Sequence, residues 1–145
     1  MTPGPIPKLV FAALVAVAAC VGTGPVHRAV LPPVPGDVVV DAQPVELTDL
    51  SGRVRSIAAA ETEATNGANI DTRTLGNQLW VQWLAGACES RSRLTLGPSG
   101  GGFKLRVQTD GDLVLGCPAI GIPRAIVITF DAPIDGAPVV ATVER

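Results

Sequence analysis

The apolar positions of this chain fall in short runs broken by turn residues, not in long helical stripes. Leu79-Trp80-Val81-Gln82-Trp83-Leu84 places Leu79, Val81 and Trp83 on one strand face and Trp80, Gln82 and Leu84 on the other. Arg91–Leu96 and Phe103–Gln108 flank Gly97-Pro98-Ser99-Gly100-Gly101-Gly102 and predict a hairpin. Pairing Leu96 with Phe103 puts Leu94 against Leu105 inside, with Thr95 opposite Lys104 and Arg93 opposite Arg106 outside. Arg124 to Phe130 is almost unbroken apolar sequence, as expected of a central strand covered on both sides.

Around this centre the pattern is weaker. Val38-Val39-Val40 opens the β-rich part. Pro44–Thr48 and Arg53–Ile57 flank Asp49-Leu50-Ser51-Gly52 and predict a second hairpin, with Leu47 facing Val54 and Glu46 facing Arg55. Ser56 to Ala64 has the propensity for a helical turn, and Asn66 to Asn77 reads as a long polar loop pinned by Ile70 and Leu75. Leu113 to Leu115 predicts a short strand, and Asp131 to Pro138 turns the chain into a last one, Val139 to Val143. Seven to nine short strands at this spacing predict an all-β fold over residues 37–145, an immunoglobulin-like β-sandwich in preference to a barrel.

The amino-terminal quarter has a different character. Lys8 precedes an uncharged apolar run from Leu9 to Ala19, and small residues lead up to Cys20, so residues 1–19 read as an export signal. Pro25, Pro32, Pro33 and Pro35 make residues 20–36 a semi-rigid tether with a reach of about 40–50 Å. A plain cleaved signal peptide and a retained anchor are the alternatives, although Gly22, Gly24 and Pro25 suit a membrane helix poorly. Val17-Ala18-Ala19-Cys20 resembles the lipobox of bacterial lipoproteins. That resemblance implies an acylated Cys20 as the first mature residue, and hence a lipid-anchored, extracytoplasmic protein of the bacterial envelope.

If Cys20 carries lipid, Cys88 and Cys117 remain as one pair, which an oxidising compartment would join. Closing that loop stabilises a fold by roughly 3–4 kcal/mol. A metal or nucleophile role for these thiols is the alternative, opposed by a single histidine and the lack of C-x-x-C spacing. Cys88 falls out of phase with Trp83, so a bulge near Gly86 is expected to return it to the interior. The Trp83–Cys88 spacing resembles the Trp-against-disulfide packing of immunoglobulin-like sandwiches, with the order of residues changed. Trp83-x-x-Gly86-x-Cys88, followed by Cys117-Pro118-Ala119-Ile120-Gly121-Ile122-Pro123-Arg124, is also similar to domains of uncharacterised secreted bacterial lipoproteins. No activity travels with that likeness.

Composition adds mainly exclusions. A formal net charge of −2 and 3% aromatics argue against a nucleic-acid partner. The mean hydropathy of +0.38 owes much to the leader. His27, the only histidine, lies in the tether, which removes a serine–histidine mechanism. Asp110 with Asp112, and Asp131 with Asp135, are the remaining carboxylate pairs for a hydrolase, but all sit in turn sequences that favour Asp for local bonding. Neither a catalytic residue nor a cofactor or metal site is assigned. Two surfaces are candidates for binding. Arg91, Arg93, Lys104 and Arg106 form a basic patch for an anionic envelope polymer or headgroup, unless neighbouring carboxylates or solvent balance them. Trp80 and Leu84 form an outer face for docking onto an envelope protein, unless the 58–77 segment covers them. Arg124 is read as a capping or ion-pairing residue.

Overall fold

A computed structural model describes residues 35–111 and 116–145. The leader, Cys20, His27 and the tether up to residue 34 lie outside the described residues, as do Asp112 and the expected Leu113–Leu115 strand. Among the described residues there are nine strands and no helix. They are β1 (Pro35–Val40), β2 (Gln43–Asp49), β3 (Val54–Ala59), β4 (Ile70–Leu75), β5 (Gln78–Gly86), β6 (Glu89–Ser99), β7 (Gly102–Gly111), β8 (Gly121–Phe130) and β9 (Val139–Glu144). Two sheets pack into a sandwich, one of five strands in the order β1-β2-β6-β7-β9 and one of four in the order β3-β8-β5-β4. Neighbours are antiparallel except β2 with β6 and β7 with β9, which are parallel.

The core is the meeting of two faces with period two. On the four-stranded sheet Leu79, Val81 and Trp83 stand beside Ile128, Ile126 and Arg124. On the five-stranded sheet Leu94 and Leu96 stand beside Val107 and Leu105. None of these ten side chains is more than 1% exposed. Each buried aliphatic side chain contributes on the order of 1.5–3 kcal/mol, so the alternation itself selects the fold. Phe103 and Phe130 close one end with ring centroids 4.9 Å apart.

The glycine-rich hairpin forms with a register two residues tighter than its sequence pattern suggests. Leu96 pairs with Leu105 and Ser99 with Gly102, leaving a two-residue loop, Gly100-Gly101, with φ of 53° and 81°. Such a turn matches the strand twist, and only glycine adopts both angles freely. The shift is even, so the inside residues stay inside. Pro98 is accommodated in β6 because β2 has turned away beyond Leu96, where Leu50 N donates the last bond to Leu96 O. At Gly102 a Cβ would collide with the carbonyl of Pro138.

Three local expectations are overturned. Asp49–Gly52 does not close a hairpin, because β2 belongs to one sheet and β3 to the other. Glu46 and Arg55 are therefore not cross-strand partners, nor are Leu47 and Val54. β2 instead makes its hairpin with β1 around Asp41-Ala42, both at positive φ (51° and 63°) without a glycine. Asp49, 1% exposed, holds the sheet-to-sheet corner. Its Oδ1 accepts from Ser51 N (2.8 Å) and Ser51 Oγ (2.5 Å), and its Oδ2 from Val54 N (2.8 Å). Second, the expected helical turn over Ser56–Ala64 begins as β3, where pairing with β8 and the packing of Ile57 on the core outweigh alanine propensity. Third, the expected 66–77 loop contains β4, whose Ile70, Thr72 and Thr74 turn toward the interior in alternation.

Asp49→Ala strands two amides at the corner and is expected to lower stability by about 3 kcal/mol. Ala42→Gly relieves a left-handed residue and is expected to raise it by about 1 kcal/mol. Urea denaturation midpoints check both.

Candidate functional site

The outer face of the five-stranded sheet carries the basic patch, and the register answers its charges. Because Arg93 lies opposite Gln108 and Arg106 opposite Thr95, the expected clash of two arginines does not arise. One row runs Asp37, Glu46, Arg93, Gln108, Glu144 across all five strands. Glu46 reaches Arg91 (3.6 Å) and Arg93 (3.7 Å), Asp110 reaches Arg93 (2.9 Å), and Glu144 reaches Arg106 (3.2 Å). Lys104 stands beside Gly97 and Val140. All these groups are well exposed, so each pair is worth well under 1 kcal/mol. Their effect is to make the face an electrically balanced ladder.

The outer face of the four-stranded sheet is crossed by its own chain. The segment between β3 and β4 passes over β8 and β5 to reach the far edge. Gln82, 2% exposed, clasps it: Gln82 Nε2 donates to Glu63 O (2.8 Å), and Glu63 N donates to Gln82 Oε1 (2.6 Å). Trp80 remains half-buried, its Nε1 donating to Glu61 O at 3.4 Å, with the Arg73 guanidinium 4.8 Å from its ring. Glu63, at 2.7 Å, and then Asp71 hold the Arg73 guanidinium above its usual pKa. Leu84, also half-buried, lies against Gly121. Glu61 and Glu63 thus lie across the Trp80 and Gln82 part of the expected docking face.

Cys88 and Cys117 are bonded, with Cα atoms 5.9 Å apart. The bridge is not the core staple that the sequence suggested. Cys88 is half-buried in the β5–β6 turn, and Cys117 is exposed ahead of β8. β5 pairs with β8 through Gly86 without a shift, so no bulge there returns Cys88 to the interior. The irregularity lies instead in β6, between Glu89 and Arg91. Trp83 packs in the core and donates from Nε1 to Ser92 Oγ at 3.2 Å. The bridge ties together two sheet-to-sheet crossings, β5–β6 and β7–β8, at one pole of the sandwich.

Beside that pole lies a buried polar cluster. Arg124, 1% exposed, occupies the inner-face position in line with Ile126, Ile128 and Phe130. Its Nε and Nη1 are buried and meet no hydrogen-bonding partner; the same holds for Glu89 Oε2 and Gln43 Oε1. Glu89 Oε1 accepts from Thr109 Oγ1 at 2.9 Å. Burial pushes the Arg124 pKa below its usual value, and the fields of Glu89 and Asp41 oppose that push. Arg124 is therefore an interior cation, not a cap. Its parity with Ile126, Ile128 and Phe130 was the one sequence feature that pointed inward, against the capping role expected from its charge.

The opposite pole holds an open cleft of about 670 Å³, bordered by Ser51, Arg53, the Gly100-Gly101 turn, Pro133 and Asp135. Arg53 lies 5.6 Å from the Phe103 ring centroid and pairs with Asp131 at 3.4 Å. Asp135 Oδ1 accepts from Gly76 N at 2.6 Å. Asp131 and Asp135 are thus engaged separately in holding the β8–β9 connection, as Asp110 is in pairing with Arg93. Among the described residues, no three His, Cys, Asp or Glu side chains gather where a metal ion would be held. The cleft is lined by hydroxyls, backbone amides and proline rings. Compared with known proteins, the chain matches no family model, no curated protein and no solved structure.

Losing Glu89 takes away the field that offsets the burial of the Arg124 charge and leaves Thr109 Oγ1 without its acceptor, whereas losing Arg124 leaves Glu89 half-buried and still bonded to Thr109. Glu89→Leu is expected to cost about 3 kcal/mol, whereas Arg124→Met, which keeps the volume, is expected to be nearly neutral. Combining them should recover most of the Glu89→Leu loss, as read from a double-mutant cycle of urea midpoints.

Proposed function

We propose that the chain is an extracytoplasmic, lipid-anchored β-sandwich module of the bacterial envelope, held off the membrane by its Pro-rich tether and serving in binding. The observation that carries this reading is the allocation of its three cysteines. Cys88 and Cys117 are bonded to each other. The odd one, Cys20, directly follows a short apolar run in a lipobox-like sequence. Disulfides of this kind persist in oxidising compartments, and an unpaired thiol at that position is the acceptor that lipid modification requires.

The polarity of the domain supports the same reading. β1 starts at Pro35 beside Thr48, on the pole of the cleft, so the tether enters there. The bridge and the Arg124 cluster sit at the other pole. The balanced charges around Arg91, Arg93, Lys104 and Arg106 favour mutual pairing over an anionic polymer as their role. The clasping of residues 61–63 by Gln82 and Trp80, with Leu84 half-buried against Gly121, likewise weakens docking through that face. The cleft is the better candidate for a bound ligand. A hydrolase reading through Asp131 or Asp135 has less support, since each is already bonded to a structural partner.

The intact mass of protein extracted from bacterial membranes tests the proposal. The expected species starts at Cys20, carries acyl chains and is two hydrogens lighter than its reduced form. Cys20→Ser is expected to move the protein from the detergent phase to the aqueous phase on Triton X-114 partitioning. A full-length product with three alkylatable thiols would overturn it.

A further inference from the structure

We infer that β9 is a self-pairing edge, through which two copies of this chain join their five-stranded sheets into one continuous sheet. Four strands form the sheet edges among the described residues: β1, β9, β3 and β4. Three of them carry the features that discourage edge-to-edge pairing. β1 has Pro35 and Asp37, β3 has Arg55 at a register shift between Val54 and Ser56, and β4 has Asp71 with Arg73. β9 has none of these from Val139 to Val143, and its one charge, Glu144, is already paired with Arg106.

The backbone of β9 is suitably presented. Pro138 O accepts from Phe103 N, and β9 runs parallel to β7 from there. In a parallel ladder the bonding residues alternate, so Pro138, Val140, Thr142 and Glu144 face β7. The N–H and C=O groups of Val139, Ala141 and Val143 then point away from the sheet. Placing a two-fold axis at Ala141 sets Ala141 opposite its own copy and Val139 opposite Val143 of the second copy. Every outward amide and carbonyl on this stretch gains a partner in that single register.

The side chains agree with it. Val139, Ala141 and Val143 pack on the core yet remain half-exposed at the rim. The second strand would cover them with the same three residues. On the other face Val140, 57% exposed, would lie against Thr142 of the second copy. No charge opposes a like charge. A single added strand on each side is a small interface, so the association is weak and depends on concentration.

The register makes the test specific. Val140→Cys and Thr142→Cys are prepared separately in the full chain carrying Cys20→Ser, in mild detergent, and oxidised alone or mixed. The two positions face each other only across different copies, with Cα atoms about 4.5 Å apart in such a pair. The expected result is a disulfide-linked dimer at least fivefold more abundant in the mixture than in either variant alone. Thr142→Lys, at an exposed position, is expected to reduce the sedimenting mass at high concentration from two chains to one, with unchanged circular dichroism. No dimer in the mixture, equal dimer in the single variants, or an unaltered mass for Thr142→Lys would overturn the inference.

Discussion

Everything in this domain follows from burying one apolar face on each of two sheets. Neither sheet is stable with that face in water, and the period of two along each strand leaves only one way to join them. A chain that builds both sheets from interleaved strands must cross between them repeatedly, and at each crossing the backbone leaves its ladder. Polar side chains then have to supply the bonds that the ladder no longer does. Asp49 does so at the β2–β3 corner, and Asp131 with Asp135 secures the β8–β9 connection. The disulfide joins the two remaining crossings to one another. The acidic turn residues and the two late cysteines thus share one structural task, the management of sheet switching.

The interior was legible where alternation was strong. Leu79, Val81 and Trp83, with Leu94 and Leu105, could be placed inside from the sequence because a strand's parity survives an error of two in register. The β6–β7 hairpin shows this: its loop is shorter than its glycine content suggests, yet no side chain changes face. What failed was anything decided by distant partners. Asp49-Leu50-Ser51-Gly52 is a good local turn sequence, and nothing local tells a hairpin from a change of sheet. Asp41-Ala42 lacks the glycine that usually marks a two-residue turn, so the true hairpin was silent. Ala58-Ala59-Ala60 favours a helix locally, and the strand there exists only because β8 lies alongside.

The same reasoning explains which surface candidates lost weight. Arg91, Arg93, Lys104 and Arg106 stand out in sequence because their neighbours Glu46 and Glu144 come from β2 and β9, far away along the chain. Parallel pairing brought those carboxylates across, and parallel pairing is what a hairpin-by-hairpin reading cannot foresee. At Trp80 the expected alternative, cover from the 58–77 segment, is what the fold provides, through two bonds between the Gln82 side chain and the backbone of Glu63. Arg124 went the other way. Its charge pointed to a cap or an ion pair, yet it shares the strand face of Ile126 and Ile128 and lies inside the sandwich.

The placement of the first and last strands has a mechanical consequence. β1 enters at the cleft pole, and β9 leaves toward the bridge pole of the same sheet. Were the chain anchored through its amino-terminal side as proposed, a pull would act along the axis of β1, across the hydrogen bonds that join it to β2. Those bonds would be loaded together in shear, not opened one after another like a zipper. Anchored as proposed, the module would resist tension with the whole length of its edge strand at once.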